Sequence, residues 1–357
     1  MELTNSKYKY LINTLYIVSA IIFLSIAYNS FGYDDEYWNM RMIEDNSLTG
    51  LISKIQNFDV HPPLSYIVNF SFYKLFNNWT AVRLISSLLF ILSLGYSLFR
   101  TKNNEAKLIL LLLVGFNPSI MLWVTSIRWY AYAVPLLMIL SHPLENNNKY
   151  YWYYLFLGFL LLSFISYVGI ILIIPYFIWY FIRNENSFTI KVKKIIAPAA
   201  IYIIAYAYQL YIFYTIHRLN NIKTNEQTFD TITSIKSYAS SVLGNQAIFP
   251  TSMIGLISIT GFLIVFIVLG FLLLKNKEYY KNYSVFIIAS VLYILTGIAG
   301  KLRNLVLLDI AKSHLISNGI YAKYKKVLYI GLVFILMANI NGIYNVWTHQ
   351  KTTKNAW

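Results

Sequence analysis

The chain lacks cysteine and has few charged residues. Without cysteine it has no disulfide, no thiolate metal site and no cysteine nucleophile. Only 12% of its 357 residues are charged and 58% are hydrophobic, whereas a soluble domain carries about 25% charged residues. The mean hydropathy is +0.55, and no hydrophilic stretch is long enough to form a separate soluble domain. We therefore predict one membrane-embedded all-α domain over residues 1–357.

Acidic residues are scarce and unevenly distributed. The chain has 14 of them against 29 basic residues. Six lie between residues 31 and 60, namely Asp34, Asp35, Glu36, Glu44, Asp45 and Asp59. Carboxylates crowded at a membrane surface repel one another and lose hydration, so this density favours chemistry or cation binding over packing.

The net charge of +15 reflects the distribution of Lys and Arg among loops. In a polytopic membrane protein these residues mark cytoplasmic loops. Nucleic-acid binding requires basic residues on one face of a soluble domain, and the sequence offers no such face. We therefore expect membrane lipids as partners and no nucleic acid.

Apolar runs predict about 11 membrane spans, because roughly 20 apolar residues cross the hydrocarbon. The predicted spans lie near 10–29, 79–99, 107–126, 129–144, 150–166, 168–182, 195–215, 250–274, 282–299, 304–321 and 327–346. The basic loops alternate correctly if residues 64–76 lie along the outer interface or re-enter without crossing. The N-terminus is then cytoplasmic, and residues 31–78 and 217–249 form long outer loops of a plasma-membrane protein.

One predicted span carries charges within an apolar run. Asp309 and Lys312 are three residues apart, so they can pair on one helix face or contribute to binding a lipid phosphate. His217 and Arg218 begin the second long outer loop and are expected to be interfacial anchors. Tyr167, at an outer turn, is a further candidate to line a site.

Several polar groups map to the outer side in this topology. They are the carboxylates Asp34, Asp35 and Glu36, together with His61, Arg83, Arg128, Tyr130, Lys301 and Arg303. Carboxylates beside several cations are suited to taking a proton while holding an anion.

Structural alternatives apply to the basic members of this set. The sequence His61-Pro62-Pro63 is also consistent with a rigid turn that starts a helix. Arg83 and Arg128 are also consistent with interfacial anchors, and Lys301 and Arg303 with side chains that snorkel to the interface.

The order of these motifs resembles the GT-C superfamily of membrane glycosyltransferases. It is similar to the branch that includes protein O-mannosyltransferases and lipid A aminoarabinose transferases. The motifs are Asp35-Glu36, His61-Pro62-Pro63-Leu64, Arg83-Leu84-Ile85-Ser86, Asn117-Pro118 and Arg128-Trp129-Tyr130. The resemblance covers residues 10–185 as the catalytic module, and residues 195–346 would complete the cavity for donor and acceptor. Such proteins place membrane-parallel helices in the first outer loop.

The resemblance implies an inverting transfer from a polyprenyl-phosphate sugar to a lipid-linked or cell-surface glycan. Asp35 is the expected base and Asp34 the second choice, while Glu36 would orient a cation or the base. The basic residues Arg128, Lys301 and Arg303 would bind the donor phosphate. His61 would bind it too or brace the loop. Three carboxylates can bind a divalent cation, but this branch implies no metal and no other cofactor.

Two other classes of function remain open on the sequence. A flippase or transporter of lipid-linked oligosaccharides is expected to show internal repeats and helices broken at the membrane midplane. The sequence shows no clear repeat, and its acidic residues lie in a loop. A polysaccharide polymerase or ligase would also use lipid-linked sugars, but would depend on arginines and a large outer loop later in the chain, such as 217–249.

Overall fold

The chain is helical in every segment described by the computed structural model. The described residues are 5–30, 34–58, 62–142, 150–183 and 187–212, with the positions 289, 290, 292, 307, 310, 313, 333, 339, 340, 342–344 and 346. No β-strand occurs among them. The all-α class is thereby confirmed for this part of the protein.

Eleven α-helices follow one another in the described N-terminal part, with a π-helical turn after the sixth. They are α1 (Asn5–Asn29), α2 (Asp34–Glu44), α3 (Leu48–Phe58), α4 (Leu64–Phe76), α5 (Trp79–Arg100), α6 (Asn104–Leu110), the π turn (Leu111–Gly115), α7 (Pro118–Val124), α8 (Tyr130–Leu140), α9 (Tyr151–Ile165), α10 (Tyr167–Arg183) and α11 (Phe188–Ile212).

Among the described residues, two helices, α1 and α5, are long and apolar enough to cross a membrane. They match the spans predicted at 10–29 and 79–99. The pair formed by α6 with its π turn and α7 would be a third span. Apolar helices of this kind are compatible with a membrane protein, and the total of about 11 spans stays a prediction.

The span predicted at 107–126 is broken rather than continuous. Its two parts are bent by 59°. The second part starts at Asn117, whose side chain accepts hydrogen bonds from the backbone N–H groups of Ser119 and Ile120, and Pro118 occupies the first helical turn. Ser19 Oγ donates to the Gly115 carbonyl at 2.6 Å, so a side chain from α1 satisfies a carbonyl at the break.

The segment 64–76 forms a helix too short to cross. Helix α4 has 13 residues, which gives a length of about 20 Å, against a hydrocarbon thickness of about 30 Å. It begins directly after Pro63, in agreement with the helix start expected from the double proline. It ends at Asn77, which adopts a left-handed backbone conformation with φ 47°. The chain then enters α5 through Asn78, whose side chain caps the new helix.

Helix α5 lies at the centre of the described bundle and packs against α1, α4 and α8. Phe23 and Phe90 are both fully buried, and their ring centroids are 4.4 Å apart at the α1–α5 contact. Tyr16 donates a hydrogen bond to the Ile91 carbonyl at 2.8 Å in the same interface. These contacts hold the middle of α5 against α1.

Candidate functional site

Arg83, in the second turn of α5, contacts the residues that precede and follow the segment 31–35. Its Nη1 donates to the Ser30 carbonyl, and its Nη2 to Glu36 Oε2, each at 3.2 Å. Glu36 is 1% exposed and Arg83 4% exposed. These two contacts therefore hold the residues on either side of 31–35.

Helix α2 also holds the loop between α7 and α8 through two residues of that loop, Ile127 and Arg128. The Ile127 N–H donates to Glu36 Oε1. One turn further along α2, Asn39 Nδ2 donates to the Ile127 carbonyl at 3.0 Å. Arg128 Nη1 then donates to Asn39 Oδ1, also at 3.0 Å. We call Glu36, Asn39, Arg83 and Arg128 the charged cluster.

The periodicity of α2 explains why these side chains face the same way. Glu36 and Asn39 are three residues apart, so they lie on one face of a helix. Ile43, four residues further on, is fully buried on that face and belongs to a small apolar cluster with Leu51 and Tyr66. Burial of this face directs Glu36 and Asn39 towards the protein interior.

Serine and threonine side chains hold the loop between α7 and α8 in place. Ser86, one turn after Arg83 on α5, lies 2.9 Å from the Arg83 carbonyl and 3.4 Å from the Val124 carbonyl at the end of α7. Thr125 donates to the Met121 carbonyl at 2.8 Å, and Ser126 to the Trp123 carbonyl at 2.6 Å. The Arg-x-x-Ser motif therefore contributes both to the charged cluster and to the loop beside it.

The cluster combines buried charges of both signs. Its four side chains carry two guanidinium groups and one carboxylate, and Asp34 and Asp35 directly precede Glu36 in the chain. Each buried ion loses several kcal/mol of hydration, which is recovered only through close partners.

Glu44, at the other end of α2, has a different environment. It is exposed and accepts a hydrogen bond from Trp79 Nε1. Tyr73 stacks on Trp79 with ring centroids 4.1 Å apart. Burial and, to a smaller extent, the Glu44 carboxylate raise the pKa of Tyr73. This carboxylate stabilises the junction of α2, α4 and α5 at the surface.

The structure brings three of the predicted site residues together and places a fourth nearby. Glu36, Arg83 and Arg128 belong to the charged cluster. Tyr130 begins α8 and is 1% exposed, with its ring 4.2 Å from that of Trp129. Because Arg83 and Arg128 are both buried, their packing differs from that of an interfacial anchor, which keeps its charged group in water.

Other predicted residues are placed less completely. Asp34 and Asp35 are the first two residues of α2, and their side chains lie outside the described residues. Tyr167 begins α10, and the same applies to its side chain. The remaining predicted positions lie outside the described residues altogether, namely His61, Lys301, Arg303, His217, Arg218, Asp309, Lys312 and the loop 217–249.

Asn39 and the backbone groups of Ser30 and Ile127 were not predicted as part of the site. A signal for Asn39 was present, because it follows Glu36 by three residues, but it requires recognising residues 34–44 as a helix. Within the described segments no three acidic or histidine side chains come together as a metal site, and the expectation of a metal-free site stays a prediction.

Comparisons with protein-family models, with curated proteins and with solved structures found no match to this chain.

Proposed function

We propose that this protein is a membrane glycosyltransferase that moves a sugar from a polyprenyl-phosphate donor to a lipid-linked or cell-surface glycan. The observation that carries the proposal is the contact of Arg83 with both Ser30 and Glu36. These contacts hold Ser30 and Glu36, which flank Asp34 and Asp35 in the chain, and a second buried cation, Arg128, contacts the same helix through Asn39. A carboxylate that takes a proton and a cation that holds a phosphate are the two groups that such a transfer needs.

The proposed reaction is a single displacement with inversion. A carboxylate, Asp35 or alternatively Asp34, takes the proton of an acceptor hydroxyl. The acceptor oxygen forms a bond to the anomeric carbon while the bond from that carbon to the phosphate oxygen breaks. The electron pair leaves with the polyprenyl phosphate, which is already stable as an anion. Arg128, Lys301 and Arg303 are the proposed cations for this leaving group, and no metal or other cofactor takes part.

Glu36 is proposed to orient the base rather than to act as the base. One of its carboxylate oxygens pairs with Arg83 and the other accepts the Ile127 N–H. Its burial leaves it little access to an acceptor hydroxyl.

The proposed architecture is of the GT-C type with about 11 spans. Helices α2, α3 and α4 would lie in the first outer loop, parallel to the membrane. Their lengths of 11, 11 and 13 residues support this arrangement, because each is too short to cross the hydrocarbon. The N-terminus would be cytoplasmic and the site would face outwards from the plasma membrane.

A transfer assay in membranes tests the activity. Radiolabelled polyprenyl-phosphate sugars are supplied to wild type, Asp34→Asn, Asp35→Asn and Glu36→Gln, with Asp45→Asn as the control because Asp45 is exposed just beyond the same helix. We expect transfer to fall by at least about 100-fold in one of the two Asp variants, since proton transfer by a placed base contributes roughly 10²–10⁴-fold. Full transfer by both Asp variants would reject the proposed base.

The topology has a separate test that uses the absence of native cysteine. A cysteine introduced at the exposed Asn77 should react with an impermeant thiol reagent added from outside. The matched control is Lys102→Cys, at an exposed position in the predicted cytoplasmic loop, which should react only after the membrane is opened. Labelling of Asn77→Cys from the cytoplasm alone would show that residues 64–76 cross.

A flippase or transporter is the second candidate, and one observation favours it. The 59° break between the π turn and α7 is a discontinuous helix, which is common at transporter binding sites. Movement of a fluorescent lipid-linked sugar across vesicles, with no sugar transferred, would favour this candidate. Transfer without such movement favours the glycosyltransferase.

A further inference from the structure

The start of α1 lies beside the end of α5 and the start of α6. Along α1, the Tyr8 hydroxyl donates to Glu105 Oε1 and the Tyr16 hydroxyl to the Ile91 carbonyl. The partner number falls as the α1 number rises, so α5 and its continuation run opposite to α1. Helix α1 packs against both α5 and α6. We call the two adjoining segments, residues 5–10 and 99–107, the basic end.

The basic end carries more positive charge than its own acidic residue offsets. That residue is Glu105, which the Tyr8 hydroxyl contacts at 3.2 Å. The basic residues are Lys7, Lys9, Arg100, Lys102 and Lys107, of which Lys107 is half-buried and the others are exposed. The four lysines form no ion pair within the part of the chain that the structure describes. Because like charges repel one another, an anion bound here would stabilise this end.

Exposed aromatic side chains directly adjoin these basic residues in the chain. Tyr10 follows Lys9 and is 77% exposed, and Phe99 precedes Arg100 and is 81% exposed. Exposed apolar side chains on a membrane-crossing helix contact acyl chains, and basic side chains at its end reach the headgroups. A ligand that contacts both kinds of side chain has an acyl part and an anionic headgroup. A free anion or an acidic protein segment offers only the charge.

We propose that the basic end binds an anionic phospholipid, with the phosphodiester beside the lysines and the acyl chains along Tyr10 and Phe99. The tendency of Lys and Arg to lie in cytoplasmic loops explains the charge of each segment separately. The contact of Tyr8 with Glu105 brings two such segments to one place. Clusters of about four to eight basic residues at the end of a membrane helix bind anionic lipids. The site requires α1 and α5 in a membrane and does not depend on sugar transfer.

Lipid binding to the full chain in a neutral detergent tests the site. Dioleoyl phosphatidylglycerol is titrated, and the bound lipid is counted by native mass spectrometry. Lys9→Gln/Lys102→Gln removes a charge from each segment and keeps polar side chains. We expect Kd to rise at least about tenfold, because each basic residue near an anionic lipid surface contributes about 1 kcal/mol, which is roughly fivefold. Lys9→Arg/Lys102→Arg keeps the charge and should bind within about twofold of the wild type.

Lys193→Gln/Lys194→Gln is the matched control. Both lysines are exposed on α11, and the predicted topology places them on the same side of the membrane. The control loses the same charge as Lys9→Gln/Lys102→Gln, and its Kd for phosphatidylglycerol should equal that of the wild type. Equal weakening in the two double variants would mean that total charge alone attracts the lipid, and the site at the basic end would be overturned.

Two further probes identify the ligand. We expect dioleoyl phosphatidylcholine, which has no net charge, to bind at least about tenfold more weakly than phosphatidylglycerol, and millimolar inorganic phosphate not to displace phosphatidylglycerol. Equal binding of the two lipids, or displacement by inorganic phosphate, would overturn the proposal. Should the double variant not fold, Lys9→Gln and Lys102→Gln are each compared with Lys193→Gln. A rise in Kd of about fivefold for both, and none for Lys193→Gln, supports the site, and any other result overturns it.

Discussion

The two ends of α5 bury polar groups of different kinds. The charged cluster contacts the N-terminal end through Arg83. Near the C-terminal end, Ser97 contacts α8, and Ser141, directly after α8, pairs with Tyr176; we call these three side chains the neutral cluster. Ser97 lies 3.5 Å from the Met138 carbonyl, and the hydroxyls of Ser141 and Tyr176 are 3.0 Å apart. The 14 residues from Arg83 to Ser97 correspond to about 21 Å of helix.

The neutral cluster is explained by helix packing alone. Ser141 donates to the Leu137 carbonyl at 2.8 Å within its own helix turn, and small hydroxyl side chains let helices approach closely in a membrane. The charged cluster has no such explanation, because apolar side chains of similar volume often stabilise a protein as well as a buried ion pair does. Buried charge at one end of α5 therefore supports the proposed chemistry there, and the neutral side chains at the other end are explained by packing.

The largest expected effect comes from separating the buried ion pair. Glu36→Ala leaves Arg83 buried without its carboxylate and should lower the free energy of unfolding by about 3–5 kcal/mol. Unfolding in detergent, followed by circular dichroism with denaturant, measures this change. The double variant Glu36→Ala/Arg83→Met removes the isolated charge and should recover more than half of the loss. A single variant that lost under about 1 kcal/mol would show that the pair is effectively solvated.

A smaller effect is expected in the neutral cluster. Tyr176→Phe removes the hydroxyl next to Ser141 and should lower the free energy of unfolding by about 1 kcal/mol, the usual net value of a neutral hydrogen bond. Sugar transfer by this variant should equal that of the wild type. The same unfolding and transfer assays apply. A loss of transfer without a loss of stability would place function at this end of α5 too and end the contrast.

The smallest expected quantity is the coupling between the two clusters. Glu36→Ala and Tyr176→Phe lie in separate networks, so their effects on the free energy of unfolding should add to within about 0.5 kcal/mol. A double-mutant cycle measures this sum. Coupling well above that value would mean that α5 transmits strain between its ends, and the clusters would then form one network.

The comparison also shows which parts of the fold could be predicted. Runs of apolar residues correctly predicted the helices α1 and α5, because a run of about 20 such residues has the length of a membrane-crossing helix. Pro62-Pro63 correctly marked the start of α4. The predicted span 107–126 was wrong as a continuous helix. Asn117-Pro118 is a helix-start signal within an apolar run, and hydropathy averaged over a window does not register it.

The charged members of the candidate site could be predicted from the sequence, but the contacts between them could not. Glu36, Arg83 and Arg128 stood out because charge is rare in this sequence. Asn39 did not, since one asparagine in a predicted loop is ordinary and its contacts depend on the helix α2 that replaces that loop. Hydrogen bonds to backbone atoms, such as those to Ile127, cannot be predicted from residue type, because nearly every residue offers the same backbone groups.

The sequence by itself determined that this chain is helical, suited to a membrane, and unusually acidic over residues 31–60. These properties follow from composition and from the spacing of apolar residues, which each segment carries locally. Tertiary structure alone decided that Glu36 pairs with Arg83 and that Asn39 accepts a hydrogen bond from Arg128. Those contacts join residues 47 and 89 positions apart. These contacts depend on how α2, α5 and the loop between α7 and α8 pack together, and no local sequence pattern encodes that packing.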